Sequence, residues 1–327
     1  MIATDGLALA TRGVHKKYGS RIALAGLDLS VPTGVVYGFL GPNGAGKTTT
    51  MRLLTGLIHA DAGTIELLGR PFSRGDRRRL FEVGALIESP SFYPYLSGRE
   101  NLRALAATGA PVSKRRIEEL LELIGLRDRA RDKVGNYSLG MKQRLGIAAA
   151  LLSDPQLLLL DEPSNGLDPA GIVAMRTTLR QLASRGKTVF VSSHVLGEVE
   201  QLADVIGIIA SGRLVREGPI EELLHGEGEV RVRLPLDKVD QARTVLAAFV
   251  PDGVVGTVPG EDDWLSVRIE PGRAADVNRA LAGAGIYASG LETGNNLESL
   301  FLDLTRVEGV ETHEGTFFGL AGGDVPR

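Results

Sequence analysis

The string Gly41-Pro42-Asn43-Gly44-Ala45-Gly46-Lys47-Thr48 follows the apolar run Val35-Val36-Tyr37-Gly38-Phe39-Leu40 and opens a segment with helical character from Lys47 to about Leu57. It matches G-x-x-x-x-G-K-[ST] in the context that gives the pattern meaning, between a buried strand and a helix. Glycines let the main chain curl until successive N–H groups converge on phosphate oxygens, and the helix start adds its positive end. In such a loop Lys47 places a point charge on the β- and γ-phosphates, and the Thr48 hydroxyl ligates Mg²⁺. A glycine-rich turn that merely contains a lysine needs neither neighbour. Gly41, Pro42, Asn43, Gly44, Ala45, Gly46, Lys47, Thr48 and the adjoining Thr49 are therefore the first candidate ligand contacts.

A second apolar run, Leu157-Leu158-Leu159-Leu160, ends in Asp161-Glu162. Carboxylates at the carboxyl end of a buried strand stand where α/β folds bind their ligands. Beside a phosphate loop, Asp161 would hold Mg²⁺ through water and Glu162 would polarise an attacking water as general base. A solvated acidic turn is the bland alternative, and the phosphate loop argues against it.

The rest of the chain fits a parallel α/β core. Strands are expected at Ala8 to Val14, Leu24 to Val31, Thr64 to Leu67 and Thr188 to Ser192, with turns at Lys16-Lys17-Tyr18-Gly19 and Asp61-Ala62-Gly63. Amphipathic helices at Gly98 to Ala107, Ser113 to Ile124 and Ser138 to Leu152 form an insertion over about 89–150, and Pro169 to Arg185 is a further helix. Fully apolar strands alternating with helices read as a parallel sheet. Beyond Gly218 the order of expected elements becomes βαββαβ with a closing helix from Leu297 to Leu304, which suggests a small ferredoxin-like unit. In that unit the last strand is expected at Ile286 to Leu291. The boundaries expected are 1–225 for the first domain, 226–307 for the second and a flexible Gly-rich tail over 308–327.

Composition removes several classes of function. Cysteine is absent, which excludes disulfides, thiolate metal sites and cysteine nucleophiles, and the net charge of −3 gives no bias toward nucleic acid. The basic clusters Arg74 to Arg79 and Arg127 to Arg131 read as solvated faces. No basic n-region precedes an apolar stretch at the N-terminus, and no run approaches the roughly 20 apolar residues of a spanning helix.

With these motifs in place the chain resembles an ABC-type ATPase over roughly residues 8–220, because further motifs occur in that family's order. Tyr137-Ser138-Leu139-Gly140-Met141-Lys142-Gln143-Arg144 resembles the LSGGQ-type signature, and Ser138 also suits a helix cap. Asn165-Gly166-Leu167-Asp168-Pro169 resembles the D-loop, Ser193-His194 the switch histidine, and Glu82 to Glu88 falls in the Q-loop slot. The resemblance implies that Tyr18 stacks on adenine, that His194 contacts the γ-phosphate, that Ser138 and Gly140 serve the nucleotide of another copy, and that Asp168 is a nucleotide contact. Two positions depart from the pattern. Leu139 and Met141 replace the signature's glycine and glutamine, and Glu88 replaces the Q-loop glutamine. An ionised carboxylate cannot donate a hydrogen bond, so Glu88 is expected to alter metal or water positioning, or signalling to a partner, without abolishing ATP binding. A glutamate there, followed by Ser89 to Leu96, is similar to ATPases of bacitracin-resistance and lantibiotic-immunity exporters.

The resemblance further implies ATP and Mg²⁺ as cofactors and a head-to-tail homodimer with two ATP at its interface. It also implies a separate polytopic permease subunit, export of drugs or antimicrobial peptides, and a peripheral place at the cytoplasmic face of the membrane. The competing class is a soluble ABC ATPase acting on a non-membrane partner. One phosphate loop and no sustained heptad between Lys47 and Asp161 argue against its two-cassette and coiled-coil forms.

Overall fold

The computed structural model describes residues 6–73, 77–109, 112–224, 229–250, 255–258, 261–269, 271–293, 297–298 and 300–301. The expected tail over 308–327, the boundary at 225/226, residues 74–76 of the first basic cluster and the end of the helix expected to reach Leu304 lie outside them.

The chain opens with β1 (Leu7–Tyr18) and β2 (Arg21–Pro32), then β3 (Val36–Leu40) and α1 (Lys47–Leu54). Next come β4 (Ala62–Leu67), β5 (Arg70–Pro71) and β6 (Val83–Leu86), followed by α2 (Gly98–Ala106), α3 (Lys114–Leu123) and α4 (Leu139–Ala150). The core then continues through β7 (Leu157–Asp161), α5 (Pro169–Ser184), β8 (Thr188–Ser193) and α6 (Leu196–Glu200). It closes with β9 (Val205–Ala210), β10 (Arg213–Pro219) and α7 (Ile220–Leu224). The remainder runs β11 (Glu229–Arg233), α8 (Val239–Phe249), β12 (Val255–Val258), β13 (Glu261–Arg268), α9 (Ala274–Gly283) and β14 (Gly290–Thr293).

The central sheet has the order β10-β9-β3-β8-β7-β6, parallel throughout except for β10. Every residue of β3, β7, β8 and β9 is buried, so the apolar runs follow from burial on both faces. Side chains alternate between two cores, as the period of a strand requires. Leu157, Leu159, Phe190, Tyr37 and Phe39 pack with α1 and the β1–β2 hairpin, whereas Leu158, Leu160, Val36, Val189 and Val191 pack with α3, α4 and α5. The carboxyl ends of β3, β7 and β8 lie side by side, which brings Leu40, Asp161 and Ser193 to one rim.

The helical arm holds its entries with side-chain caps. Ser97 and Glu100 form a reciprocal capping box on α2, Ser113 caps α3, and Ser138 caps α4. The C-terminal sheet has the order β12-β13-β11-β14 with antiparallel neighbours, and Val230, Val232, Leu265 and Val267 pack with α8 and α9. The protein is thus an α/β P-loop core with an inserted helical subdomain and a small ferredoxin-like α+β unit.

Three sequence expectations are corrected. Lys16, Lys17 and Tyr18 are strand and not turn: they pair with Leu24, Ile22 and Arg21, and Asp61 accepts bonds from Lys16 Nζ and the Lys17 amide. Ala62 and Gly63 belong to β4, because Ala62 pairs with His15 across an irregular stretch of β1. The last C-terminal strand begins at Gly290, and Ile286, expected to open it, is buried in the unit's core ahead of it. Strands β6, β9 and β10 had no assignment from sequence; β6 lies inside the stretch read as a Q-loop and forms the sheet's edge beside β7.

Candidate nucleotide site

The loop from Gly41 to Gly46 leaves the carboxyl end of β3 and turns directly into α1. Gly46 is the N-cap of that helix at φ 113°, and a Cβ there would stand 2.7 Å from Leu24 Cδ2 and 2.8 Å from the Ala23 carbonyl oxygen. Only glycine combines that dihedral with that clearance. The Lys47 side chain folds back over the loop, donating to the Gly41 carbonyl at 2.7 Å and the Pro42 carbonyl at 3.3 Å. Ala45 is buried beneath the loop and its amide donates to Pro42 O at 3.2 Å.

A cavity of about 580 Å³ opens over this loop, lined by Tyr18, Arg21, Ala23, Asn43, Gly44, Gly46, Lys47, Thr48, Thr49, Glu162, Asn165 and His194. Its size suits a ligand larger than a single phosphate. Three charged or titratable groups meet on one wall. Glu162 Oε1 lies 3.5 Å from Lys47 Nζ, and Glu162 Oε2 lies 2.7 Å from His194 Nδ1. A carboxylate only accepts, so His194 donates from Nδ1 in this contact. Burial pushes the Lys47 ammonium below its ordinary value, and the charge of Glu162 opposes that shift.

Asp161 and Glu162 are aimed differently although they are neighbours. Asp161 ends β7, is buried, and its Oδ1 accepts from the Ser192 hydroxyl of β8. Glu162 sits at φ 47°, in the left-handed region that non-glycine residues rarely adopt, and its amide donates to Ser192 Oγ at 3.0 Å. Ser192 therefore fixes both acids from the adjacent strand, and the unusual backbone at Glu162 turns its side chain to the cavity.

Not every candidate residue converges there. Glu88 is absent from the cavity lining; it pairs with Arg52 of α1 and stands at φ 63°. Ser138, Gly140 and Asp168 are also outside the lining and gather on a separate surface. Ser138 Oγ accepts from the Met141 amide at 3.2 Å, and Asp168 Oδ1 accepts from the Gly171 amide at 3.0 Å, capping α5. Leu139 lies against Gly166, where an added Cβ would meet Leu139 Cδ2 at 2.1 Å, so signature and D-loop form one patch.

Residues 24–165 match the family model described as ABC transporter. The bacitracin transport ATP-binding protein BcrA of Bacillus licheniformis is 48% identical over 216 residues, covering 66% of this chain and 71% of that protein. The chain belongs to the ABC transporter ATP-binding family. The lantibiotic transport ATP-binding protein SrtF of Streptococcus pyogenes is 44% identical over 209 residues, covering 64% of this chain and 90% of that protein. A solved structure of an ATP-binding subunit of an ABC transporter superposes with TM-score 0.61 at 28% identity, covering 66% of this chain and 91% of that one. As an ABC ATPase, the protein binds ATP and hydrolyses it.

Within this ABC ATPase the sequence reading missed Arg21, Ala23 and Ser192, and it named Asn165 only as part of the D-loop string. Arg21 was accessible in principle, since it is the cross-strand partner of Tyr18. Ser192 carried a fainter signal: it is one of two serines that close the otherwise apolar β8 run after Thr188, and it is fully buried.

Proposed function

We propose that this ATPase subunit binds MgATP over the Lys47 loop and hydrolyses it with Glu162 as general base, working as a head-to-tail homodimer that drives a separate polytopic permease. The transport names of the BcrA and SrtF relatives support a drug or antimicrobial-peptide exporter. Among the described residues no helix is long and apolar enough to cross a membrane, and in this reading the permease carries the path for the substrate. The subunit would sit peripherally at the cytoplasmic face, with residues 1–225 as motor domain and 226–307 as accessory domain.

The observation that carries this reading is Glu162 held between Lys47 and His194 on the cavity wall. Lys47 and His194 are the donors that a γ-phosphate attracts. A triphosphate seated on the loop competes for both, and the Glu162 carboxylate is released to accept a proton from water. The water oxygen bonds to the γ-phosphorus, the bond from that phosphorus to the bridging oxygen breaks, and ADP departs. Tyr18 offers its half-exposed ring at the cavity mouth to the base. Ser138, Gly140 and Asp168 of a second copy cover the phosphates from the other side.

Oxygen donors suit a hard divalent ion, and here these are the Thr48 hydroxyl and the Asp161 carboxylate. Among the described residues no group of three or more His, Asp or Glu could hold an ion by itself, which fits an ion that arrives with the phosphates. An Mg²⁺ held by these residues would supply positive charge against the charge that develops on the phosphates. The bond from the Ser192 hydroxyl fixes Asp161 Oδ1 at the end of β7.

Replacement Glu162→Gln keeps the shape of the side chain and removes its basicity. Single-turnover hydrolysis is expected to slow by about 10²- to 10⁴-fold, with ATP affinity retained. Equal single-turnover rates in wild type and Glu162→Gln would remove Glu162 from the chemistry.

A further inference from the structure

Helix α6 (Leu196–Glu200) begins two residues after His194, is five residues long, and has no side-chain bond at its N-cap Val195. A helix that short has little stability of its own, so packing must hold it. Its buried Val199 and half-buried Leu196 enter a cluster with Leu40, Ala203, Ile206 and Ile208. The far wall of that cluster comes from the other end of the chain: Leu297 is fully buried and Phe301 is 9% exposed, with Leu300 beside them. The Leu297 amide also donates to Glu200 Oε2 at 3.4 Å, at the end of α6. Leu40 in the same cluster is the last residue of β3, immediately before the phosphate loop.

We propose that the segment carrying Leu297 and Phe301 positions His194 by holding α6, so that the region beyond the ferredoxin-like sheet is a working part of the γ-phosphate sensor. The inference rests on the reading of His194 as a γ-phosphate contact. Leu297, Leu300 and Phe301 complete a core whose other members all lie before residue 225. Removing them opens a gap in that core beside α6, which keeps Val199 against Gly38 of β3 but can then shift or fray. His194, attached to its start, loses its fixed distance to Glu162. Ala45 of the phosphate loop and Met51, Leu53 and Leu54 of α1 pack in a different core with β1 and β2, although Leu40 just before the loop belongs to the α6 cluster. ADP binding, which needs only those parts, should be spared.

The test uses the full chain with Leu297→Ala and Phe301→Ala combined, and measures Kd for ATP and for ADP in the presence of Mg²⁺. The preference for ATP over ADP is expected to fall by roughly fivefold or more while ADP affinity stays within about twofold of wild type. The conservative pair Leu297→Met with Phe301→Leu should retain the preference. If ADP affinity and the preference fall together, the segment serves folding alone and the inference is overturned. His194→Ala separates the two layers of the argument. If it lowers the preference and the Leu297/Phe301 variants do not, the positioning role is wrong; if it changes nothing, the underlying reading of His194 fails as well.

Discussion

The cavity wall and the signature patch are built in opposite ways. At the cavity, Lys47 is buried, Glu162 is recessed, and their charges are satisfied within the chain by each other, by His194 and by loop carbonyls. At the patch, Ser138, Leu139 and Asp168 are exposed, and the polar side chains make only the helix-capping bonds of α4 and α5. Both regions carry the residue types that grip phosphate, and the D-loop joins them: Asn165 lines the cavity and the adjacent Gly166 lies against Leu139. Under the proposed function these would be two unlike half-sites of one copy, the second of them exposed at the surface.

Breaking the cavity half should have the largest effect. Gly46→Ala puts a Cβ into the Leu24 and Ala23 contacts at a left-handed backbone position, so the loop must rearrange. ATP binding is expected to disappear, as measured by equilibrium titration, while the patch keeps its fold. Retained binding would mean that the loop's present shape is not needed.

The patch can be dissected more finely because Ser138 has a capping role as well. Ser138→Ala should lose about 1 kcal/mol of stability with the cap, together with ATPase activity. Ser138→Asp keeps a good capping side chain and should unfold near the wild-type temperature, yet its negative charge opposes phosphate and ATPase should still be lost. Full activity in Ser138→Asp would reduce Ser138 to a cap.

The smallest effect concerns the strand beneath the cavity half. Tyr37 of β3 donates to Glu217 Oε1 at 2.6 Å, and the Ser30 amide donates to the same oxygen at 3.0 Å. Burial pushes the Glu217 carboxyl above its ordinary range, and the bonds from Tyr37 and Ser30 oppose this only in part. The folded state therefore holds the proton more tightly than the unfolded chain. This group's contribution to stability is full below the ordinary glutamate range and is lost as pH rises through the raised folded value. Urea midpoints taken between about pH 4 and 8 should show that decline in wild type and a flatter profile in Glu217→Gln. An identical slope in both would exclude Glu217 as its source.

Much of the site was legible because its chemistry demands particular residue types at fixed spacing. The phosphate loop, Asp161-Glu162 and the signature serine are local strings, and each stands at the strand end or helix cap that its chemistry uses. The contacts between them were not legible. Ser192 reaches Asp161 only because β7 and β8 pair in register, and Arg52 captures Glu88 from a different element. The polar end of β1 hid a strand, because Asp61 satisfies Lys16 and the Lys17 amide in a way no local pattern reveals. Strands β9 and β10 carry apolar or mixed runs too short to separate from loop by periodicity. The βαββαβ order was readable from alternation, whereas the burial of Leu297 and Phe301 against α6 depends on tertiary packing.

The central claim is that each working site takes Lys47 from one copy and Ser138 from another. Mixing two inactive full-length variants, Lys47→Ala and Ser138→Asp, tests it directly. A mixed pair contains one site with both residues intact, so ATPase activity should appear on mixing and depend on the ratio of the two proteins. If the mixture stays as inactive as its components while each variant still folds, the two half-sites do not complete one another and the account is contradicted.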